Sequence, residues 1–309
     1  MTAINAPGTA AAVEERRNVF ARTVERLGIH LTVIILVLLW SIPTVALLVS
    51  SFRDPTAIAS TGWWHAITDH HFTLSNYEKV LNQRGMGRAF MNSLLIAAPA
   101  TFLVVIIAAM AAYAIAWMDF PGRNALFLVM VAMLVVPLQV TLIPILRLYT
   151  QLEIDVHVPV MGGRVFGTGS FPGIWLAHAA YGMPFAIYLL RNFFGSLPRE
   201  LMESAHLDGA SDRQIFFRIV LPLSVPALAA LAIFQFLWVW NDLLVALIFM
   251  GDPHLAPMTL NITNLVSSFG AQYQLLTAAA FVSMAVPLLV FFGLQRYFVQ
   301  GLLAGAVKG

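Results

Sequence analysis

A helix crosses the apolar core of a bilayer in about 20 residues, and six stretches of this chain reach that length, at about 29–49, 90–117, 124–148, 172–194, 223–250 and 275–298. Inside lipid every backbone N–H and C=O must find its partner within the segment, which runs of this kind achieve as helices. The sequence therefore predicts an all-α polytopic membrane protein with six transmembrane helices. Composition excludes the soluble alternative, since 60% of residues are apolar and only 10% charged, with a mean hydropathy of +0.82. The first run, Ile29–Val49, exceeds the roughly 7–15 residues of a signal-peptide core and reads as an uncleaved span.

The polar flanks divide the chain into an N-terminal arm (1–28), a membrane domain (29–298) and a short tail (299–309). Asp119–Arg123 is a tight turn that makes its neighbouring spans antiparallel. Pro43, Pro137, Pro144, Pro184 and Pro287 fall within the runs and predict bent helices. Orientation follows from cationic residues. With the N-terminus inside, Arg16, Arg17, Arg22, Arg26, Arg123, Arg191, Arg199, Arg213, Arg218, Arg296 and Lys308 lie on the inner face, against Arg53, Lys79, Arg84, Arg88, Arg147 and Arg164 outside. This excess places both termini in the cytoplasm of a multi-pass protein of the cell (inner) membrane. Trp63 and Trp64 then read as interfacial anchors. The segment beginning Ser75-Asn76-Tyr77-Glu78 reads as a short helix on the outer surface.

Several chemistries are excluded or disfavoured. A net charge of +2 with dispersed arginines gives no nucleic-acid footprint. The absence of cysteine removes disulfides and thiolate sites. His65, His70 and His71 lack the partners of a metal site, and no metal site is expected. Gly162, Gly163, Gly167 and Gly169, in the outer loop 151–171, are not followed by the Lys-Ser or Lys-Thr of a phosphate cradle, so this segment reads as a flexible loop. No G-x-x-x-x-G-K-[ST] occurs anywhere, and any ATP with its Mg would have to be bound by another polypeptide. There is no H-E-x-x-H and no G-x-S-x-G, which disfavours an intramembrane hydrolase. Asp242 is the only acid clearly within a span, too few for an ion-coupled transporter built on matched repeats.

The most structured polar island is residues 196–222, SLPRELMESAHLDGASDRQIFFRIVLP. Pro198 opens a first helix, and Asp208-Gly209 supplies a stop at which positive φ is allowed. Ser211 with Gln214 forms a capping box that starts a second helix, with Ile215, Phe216 and Ile219 on one face until Pro222 ends it. The expected shape is a bracket of two short helices.

At these residues the chain resembles the membrane-spanning permease subunits of bacterial ABC importers. Glu203, Ala205, Gly209, Ile219, Leu221 and Pro222 fall at the spacing of the so-called EAA loop, with Ser204 in place of the usual first alanine, and Asp208 and Ala210 flank the glycine. The resemblance implies a type I importer permease fold and a bracket that docks on an ATP-hydrolysing subunit to transmit force. The protein would then be a transport subunit, not an enzyme. It also implies partners: a second homologous permease, a dimer of ATPase subunits, an extracytoplasmic sugar-binding protein and the surrounding lipid.

The fifth run carries the residues that lipid tolerates least. Gln235, Asn241 and Asp242 sit near hydrocarbon depth, where an acid costs on the order of 3 kcal/mol. Trp238-Val239-Trp240-Asn241-Asp242 resembles a signature of the carbohydrate-importing branch, which makes Gln235, Trp238, Asn241 and Asp242 candidates for the substrate path. Phe234, Phe236 and Trp240 add the aromatic surface that sugar faces favour. A role in holding helices together is the competing reading for Asn241. Gln139 and Thr141 are weaker candidates, and His178 reads as an ordinary core histidine. The C-terminus, RYFVQGLLAGAVKG, is similar to the tail of the smaller maltose-importer permease. That likeness implies an extended, glycine-punctuated segment contacting the ATPase through residues such as Gly305 and Lys308. The whole reads as a carbohydrate importer permease of the maltose or α-glucoside kind, with a permease of the same family for a non-sugar solute as the alternative.

Overall fold

The computed structural model of the chain describes residues 8–69, 71–83, 85–152, 154–158, 163–268 and 272–306. These fall into two compact units, residues 1–73 and 74–309.

In the first unit a single helix, α1 (Gly8–Ser51), carries the arm directly into the first span with no break at residue 28. No residue of its apolar window is buried in this chain. Beyond it come α2 (Pro55–Ser60), a 3-10 turn at Trp63–His65 and α3 (Ala66–Asp69). Asp54 caps α2 by accepting from the Thr56 N–H at 3.0 Å, with Pro55 at the first helical position, where no N–H is needed. The buried guanidinium of Arg53 donates to the carbonyls of Ala57 (3.1 Å) and Gly62 (3.0 Å), which folds this polar segment around one cation.

The second unit begins with α4 (Ser75–Glu78), which runs into a π-helical turn at Lys79–Gln83. Then come α5 (Met86–Trp117), α6 (Arg123–Met133) and α7 (Leu138–Gln151). Strands β1 (Ile154–Val158) and β2 (Gly163–Phe166) pair antiparallel, with Val158 opposite Gly163. The outer segment expected to be a flexible loop is thus partly a β-hairpin, the departure from all-helical structure among the described residues. It is anchored where it leaves the strand: the Gly169 N–H donates to the Phe249 carbonyl at 2.7 Å and Phe166 packs on Tyr149. Helices α8 (Phe171–Phe194), α9 (Arg199–Leu207), α10 (Asp212–Ile215), α11 (Leu221–Leu223), α12 (Val225–Trp240), α13 (Leu244–Phe249), α14 (Met258–Ser268) and α15 (Tyr273–Ala306) complete the chain.

Four helical stretches are long and apolar enough to cross a membrane: Arg26–Ser51, Met86–Trp117, Phe171–Phe194 and Tyr273–Gln295. The remaining two spans are bent pairs, α6 with α7 at 106° and Asp212–Leu223 with α12 at 74°, which bring the total to six. The first bend is far sharper than a proline kink. Pro137 has no N–H for the preceding turn, so α6 stops at Met133 and the chain restarts with Pro137 in extended geometry as the N-cap of α7. Elsewhere Pro43, Pro144, Pro184 and Pro287 lie inside helices that continue without such a break. The fifth run also ends sooner than its hydropathy suggests. It breaks at Asn241–Leu243 and resumes as the separate short α13.

Packing centres on α5, whose main neighbour is α8. Ala97, Ala100, Ala108, Ala109 and Ala112 on α5 are buried, as are Gly173, Ala177, Gly182 and Ala186 on α8. Small side chains let two backbones approach closely where lipid supplies no hydrophobic drive between helices. Polar clamps close the other end. Asn92 Nδ2 donates to the carbonyls of His254 (2.9 Å) and Ala256 (3.1 Å), and Ser93 Oγ accepts from the Met258 N–H at 2.9 Å. Together they fix the loop between α13 and α14 onto α5.

Candidate functional site

Two groups of residues stand out, the bracket and a polar cluster between α8 and α12. In the bracket, α9 ends in a Schellman motif. The Ala210 N–H donates to the Ala205 carbonyl and the Gly209 N–H to the His206 carbonyl, both at 3.0 Å. Gly209 has φ +81°, in the left-handed region that side chains other than glycine rarely adopt. The capping box at α10 is formed as the spacing predicts. Ser211 Oγ accepts from the Gln214 N–H and Gln214 Oε1 accepts from the Ser211 N–H at 2.9 Å. His206 Nε2 lies 3.4 Å from Asp212 Oδ1, a side-chain link across the turn.

The bracket is fastened to the helices behind it. Tyr113 Oη on α5 donates to the Asp212 carbonyl at 3.2 Å, and its ring packs on Phe216 at 5.1 Å. Met202, Ala205, Ile215, Phe216 and Val220 join Phe194 and α5 residues in one buried cluster. This divides the motif residues physically. Ala205 is buried, and Ile219 and Leu221 pack against the cluster, so they hold the bracket in place. Glu203, Ser204, Asp208 and Gly209 are exposed, with Ala210 half-buried beside them, and form the free face of the bracket in this chain. Leu207, overlooked in the sequence, is 89% exposed at the tip of α9; an apolar side chain on the outer face of a charged helix was the available signal.

One expectation is corrected here. Pro222 does not end the second helix. A π-helical turn spans Phe216–Val220, closed by the Leu221 N–H on the Phe216 carbonyl, and α11 carries Pro222 inside it. The break comes at Ser224, between Pro222 and Pro226. The wider turn precedes the residue with no N–H to give, and the 74° bend turns the chain from the bracket into the membrane.

The second group lies deeper. Gln235 is 3% exposed, its Nε2 has no hydrogen-bond partner among the described residues, and it packs so closely on Gly182 that a Cβ there would stand 2.6 Å from its Oε1. Gln235 and Trp238 from α12 join Tyr181, Gly182 and Phe185 from α8 around a cavity of about 280 Å³. Phe234 completes it. Phe236 and Trp240 turn the other way, stacked on each other at 5.7 Å, with Trp240 Nε1 donating to the Ser283 carbonyl. The aromatic set that the sequence offered as one surface is therefore divided between a cavity and the core.

Asp242 is accounted for by capping. Its Oδ2 accepts from the N–H groups of Val245 (3.0 Å) and Ala246 (3.1 Å), so the carboxylate satisfies the open N-terminus of α13. Its backbone carbonyl accepts from Thr259 Oγ1 at 2.6 Å. Asn241 is exposed and bonds back to the Leu237 carbonyl at 2.7 Å, apart from the cavity-lining residues. His178, read from the sequence as an ordinary core residue, is the third member of the cluster. It is 1% exposed, its Nδ1 has no partner among the described residues, its Nε2 lies 4.0 Å from Asp242 Oδ2, and its ring meets Trp238 edge-on at 6.0 Å. Thr141 Oγ1 donates to Tyr181 Oη at 3.2 Å, which sets that ring at the cavity wall.

Two further expectations concern the ends. The tail expected to be extended is helical through Ala306, so Gly305 lies inside α15, while Lys308 lies outside the described residues. An isolated glycine costs a helix only about 1 kcal/mol, too little to melt one rich in Leu and Ala.

Residues 104–303 match the family described as the binding-protein-dependent transport system inner membrane component. The chain belongs to that family. It is a multi-pass membrane permease component of a binding-protein-dependent ABC transport system, a transport part and not an enzyme. The permease is 52% identical to the osmoprotective compounds uptake permease protein GgtD of Synechocystis sp., over 92% of this chain and 93% of that one. It is 42% identical to the alpha-glucoside transport system permease protein AglG of Rhizobium meliloti, over 91% and 97% respectively. A chain from the crystal structure of a bacterial ABC transporter involved in the import of the acidic polysaccharide alginate superposes with a TM-score of 0.70. That match covers 96% of the permease and 100% of the other chain at 19% identity, a likeness of fold.

Proposed function

We propose that this permease forms half of the translocation path of an ATP-driven carbohydrate importer, most directly for an α-glucoside or a similar small glycoside. The observation that carries the reading is the cavity between α8 and α12, where the Gln235 amide has an unused donor beside the exposed face of Trp238. An aromatic face next to an amide suits a sugar ring, apolar on its faces and hydroxylated around its edge. Several of its relatives carry sugar names, among them an α-glucoside, a diacetylchitobiose and a melibiose/raffinose/stachyose permease, while the 52% identical relative is named for osmoprotective compounds. In this reading Gln235 and Trp238 meet the solute, Asp242 and His178 hold α13 and the cavity wall in place, and Asn241 faces the partner permease.

The chain pairs with a second homologous permease above a dimer of ATPase subunits, which bind the ATP and Mg, and receives solute from an extracytoplasmic binding protein. Both termini are cytoplasmic by the distribution of Lys and Arg, which places the bracket on the side where ATP is found. Closure of the ATPases pushes on Glu203, Ser204, Leu207, Asp208 and Gly209. The buried contacts of Ala205, Ile219 and Leu221, with Tyr113 on the Asp212 carbonyl, pass the displacement to α5 and through the bend at Ser224 to α12. The path then alternates between its two faces. The C-terminal tail, with Gly305 and Lys308, contacts the same ATPases.

The test is uptake of radiolabelled α-glucosides by cells carrying the Gln235→Leu variant. Loss of one neutral hydrogen bond, worth about 0.5–1.5 kcal/mol, raises KM roughly three- to tenfold with the maximal rate nearly unchanged. A KM equal to that of wild type removes Gln235 from the path.

A further inference from the structure

A second cavity lies at the bracket end of α8 and α12, about 660 Å³ in volume and within the range of small-ligand sites. Its rim is cationic. Arg123 from the start of α6, Arg191 from the last turn of α8 and Arg199 from the start of α9 all line it. Its walls include Trp117, Tyr188 and Phe234, among other apolar side chains. Of these arginines only Arg123 has an ion pair among the described residues, with the 97% exposed Asp119 at 2.9 Å. Among the described residues Arg191 lies over the Phe127 ring at 4.6 Å and reaches the neighbouring Asn192 Oδ1 at 3.3 Å, while its buried Nε finds no partner there.

Guanidinium groups without a carboxylate partner above an aromatic pocket are the chemistry of a phosphodiester bound at a membrane interface. We propose that this cavity holds the phosphate headgroup of an anionic glycerophospholipid from the cytoplasmic leaflet, with its acyl chains running along Tyr188 and Leu189. Arg191 and Arg199 face the phosphate oxygens. Trp117 sits at headgroup depth, where its indole N–H, donated to the Phe194 carbonyl at 3.1 Å, keeps the ring in place. The assignment of the leaflet rests on the orientation given above, whereas the binding itself does not. Such a lipid would brace α6, α8 and the root of α9, the elements that carry the bracket's displacement.

The test uses the full-length chain in nanodiscs of phosphatidylcholine doped with brominated phosphatidylglycerol, reading the quenching of Trp117, whose share is isolated by comparison with Trp117→Phe. Saturable quenching at low doping is expected in the wild type. In the Arg191→Gln/Arg199→Gln double variant the half-saturating fraction rises about thirtyfold, at about 1 kcal/mol per cation removed. Arg199→Gln alone, at an exposed position, gives an intermediate rise should the double variant be poorly dispersed. Quenching that is equal with brominated phosphatidylcholine, or unchanged in both variants, overturns the proposal. So does displacement of the lipid by millimolar inorganic phosphate, which would make the site one for a soluble anion. Glycoside uptake is measured separately: a chain that binds the lipid but supports no uptake counts against the transport reading alone.

Discussion

Replacing Gly209 with valine is expected to abolish uptake while the chain still inserts in the membrane at wild-type levels. No atom lies within 4 Å of where a Cβ at Gly209 would stand, so space is not the obstacle. The obstacle is φ +81°, which costs an ordinary L-residue about 1–2 kcal/mol and a β-branched one more. The turn relaxes, the bonds from Gly209 and Ala210 back to α9 are lost, and the exposed face of α9 no longer presents itself to its partner at the same angle. Asparagine, which tolerates the left-handed region, should retain most of the activity, and that contrast isolates backbone geometry as the cause. Glu203→Lys tests the surface itself. Its side chain is exposed on α9, so reversing its charge leaves the fold intact and removes uptake by disrupting docking. Normal uptake in both Gly209→Val and Glu203→Lys, with protease mapping showing correct insertion, would count against the bracket as the point where force enters.

Asp242→Ala is expected to have the largest effect within the membrane domain. It leaves the N–H groups of Val245 and Ala246 without their shared acceptor at a helix start surrounded by apolar groups. A lost cap costs about 1–2 kcal/mol, which for a chain of this length lowers the Tm of the detergent-solubilised protein by about 2–3 °C. Uptake falls at least tenfold, because α13 and the loop bonded to it through Thr259 shift beside the cavity wall. Asp242→Asn keeps an oxygen in the capping position and should hold both Tm and uptake near wild type. If the asparagine variant fails as badly as the alanine variant, it is the charge, facing His178, that matters, and capping is not a sufficient account of the residue.

Much of this was legible in the sequence wherever the signal is local. The Ser211–Gln214 capping box and the turn at Gly209 are written within four residues of each other and formed as predicted. Four of the spans follow from length and hydropathy alone. The 106° break before α7 was signalled by Pro137, but its size was not, since four other prolines at comparable positions leave their helices whole. The interruption at Asn241–Leu243 had no apolarity signal at all, because Leu244–Phe249 continues the run in composition while beginning a new helix around the Asp242 carboxylate. The β-hairpin and the helical tail likewise ran against glycine counts, which bear on a segment's freedom but not on its neighbours.

The chain's residues by themselves determined that it crosses the membrane repeatedly, which segments do so, and that a polar bracket with a glycine hinge interrupts them. These are consequences of desolvation and backbone sterics acting over a few residues. Only the tertiary structure decided that His178 stands beside Asp242, that Gln235 rests on Gly182 with its amide unspent, and that Arg123, Arg191 and Arg199 surround one cavity. Hydropathy marks a helix as lipid-compatible on every side and is silent on which face meets another helix. That choice is made by the fit of small residues on α5 and α8, contacts between positions far apart in sequence.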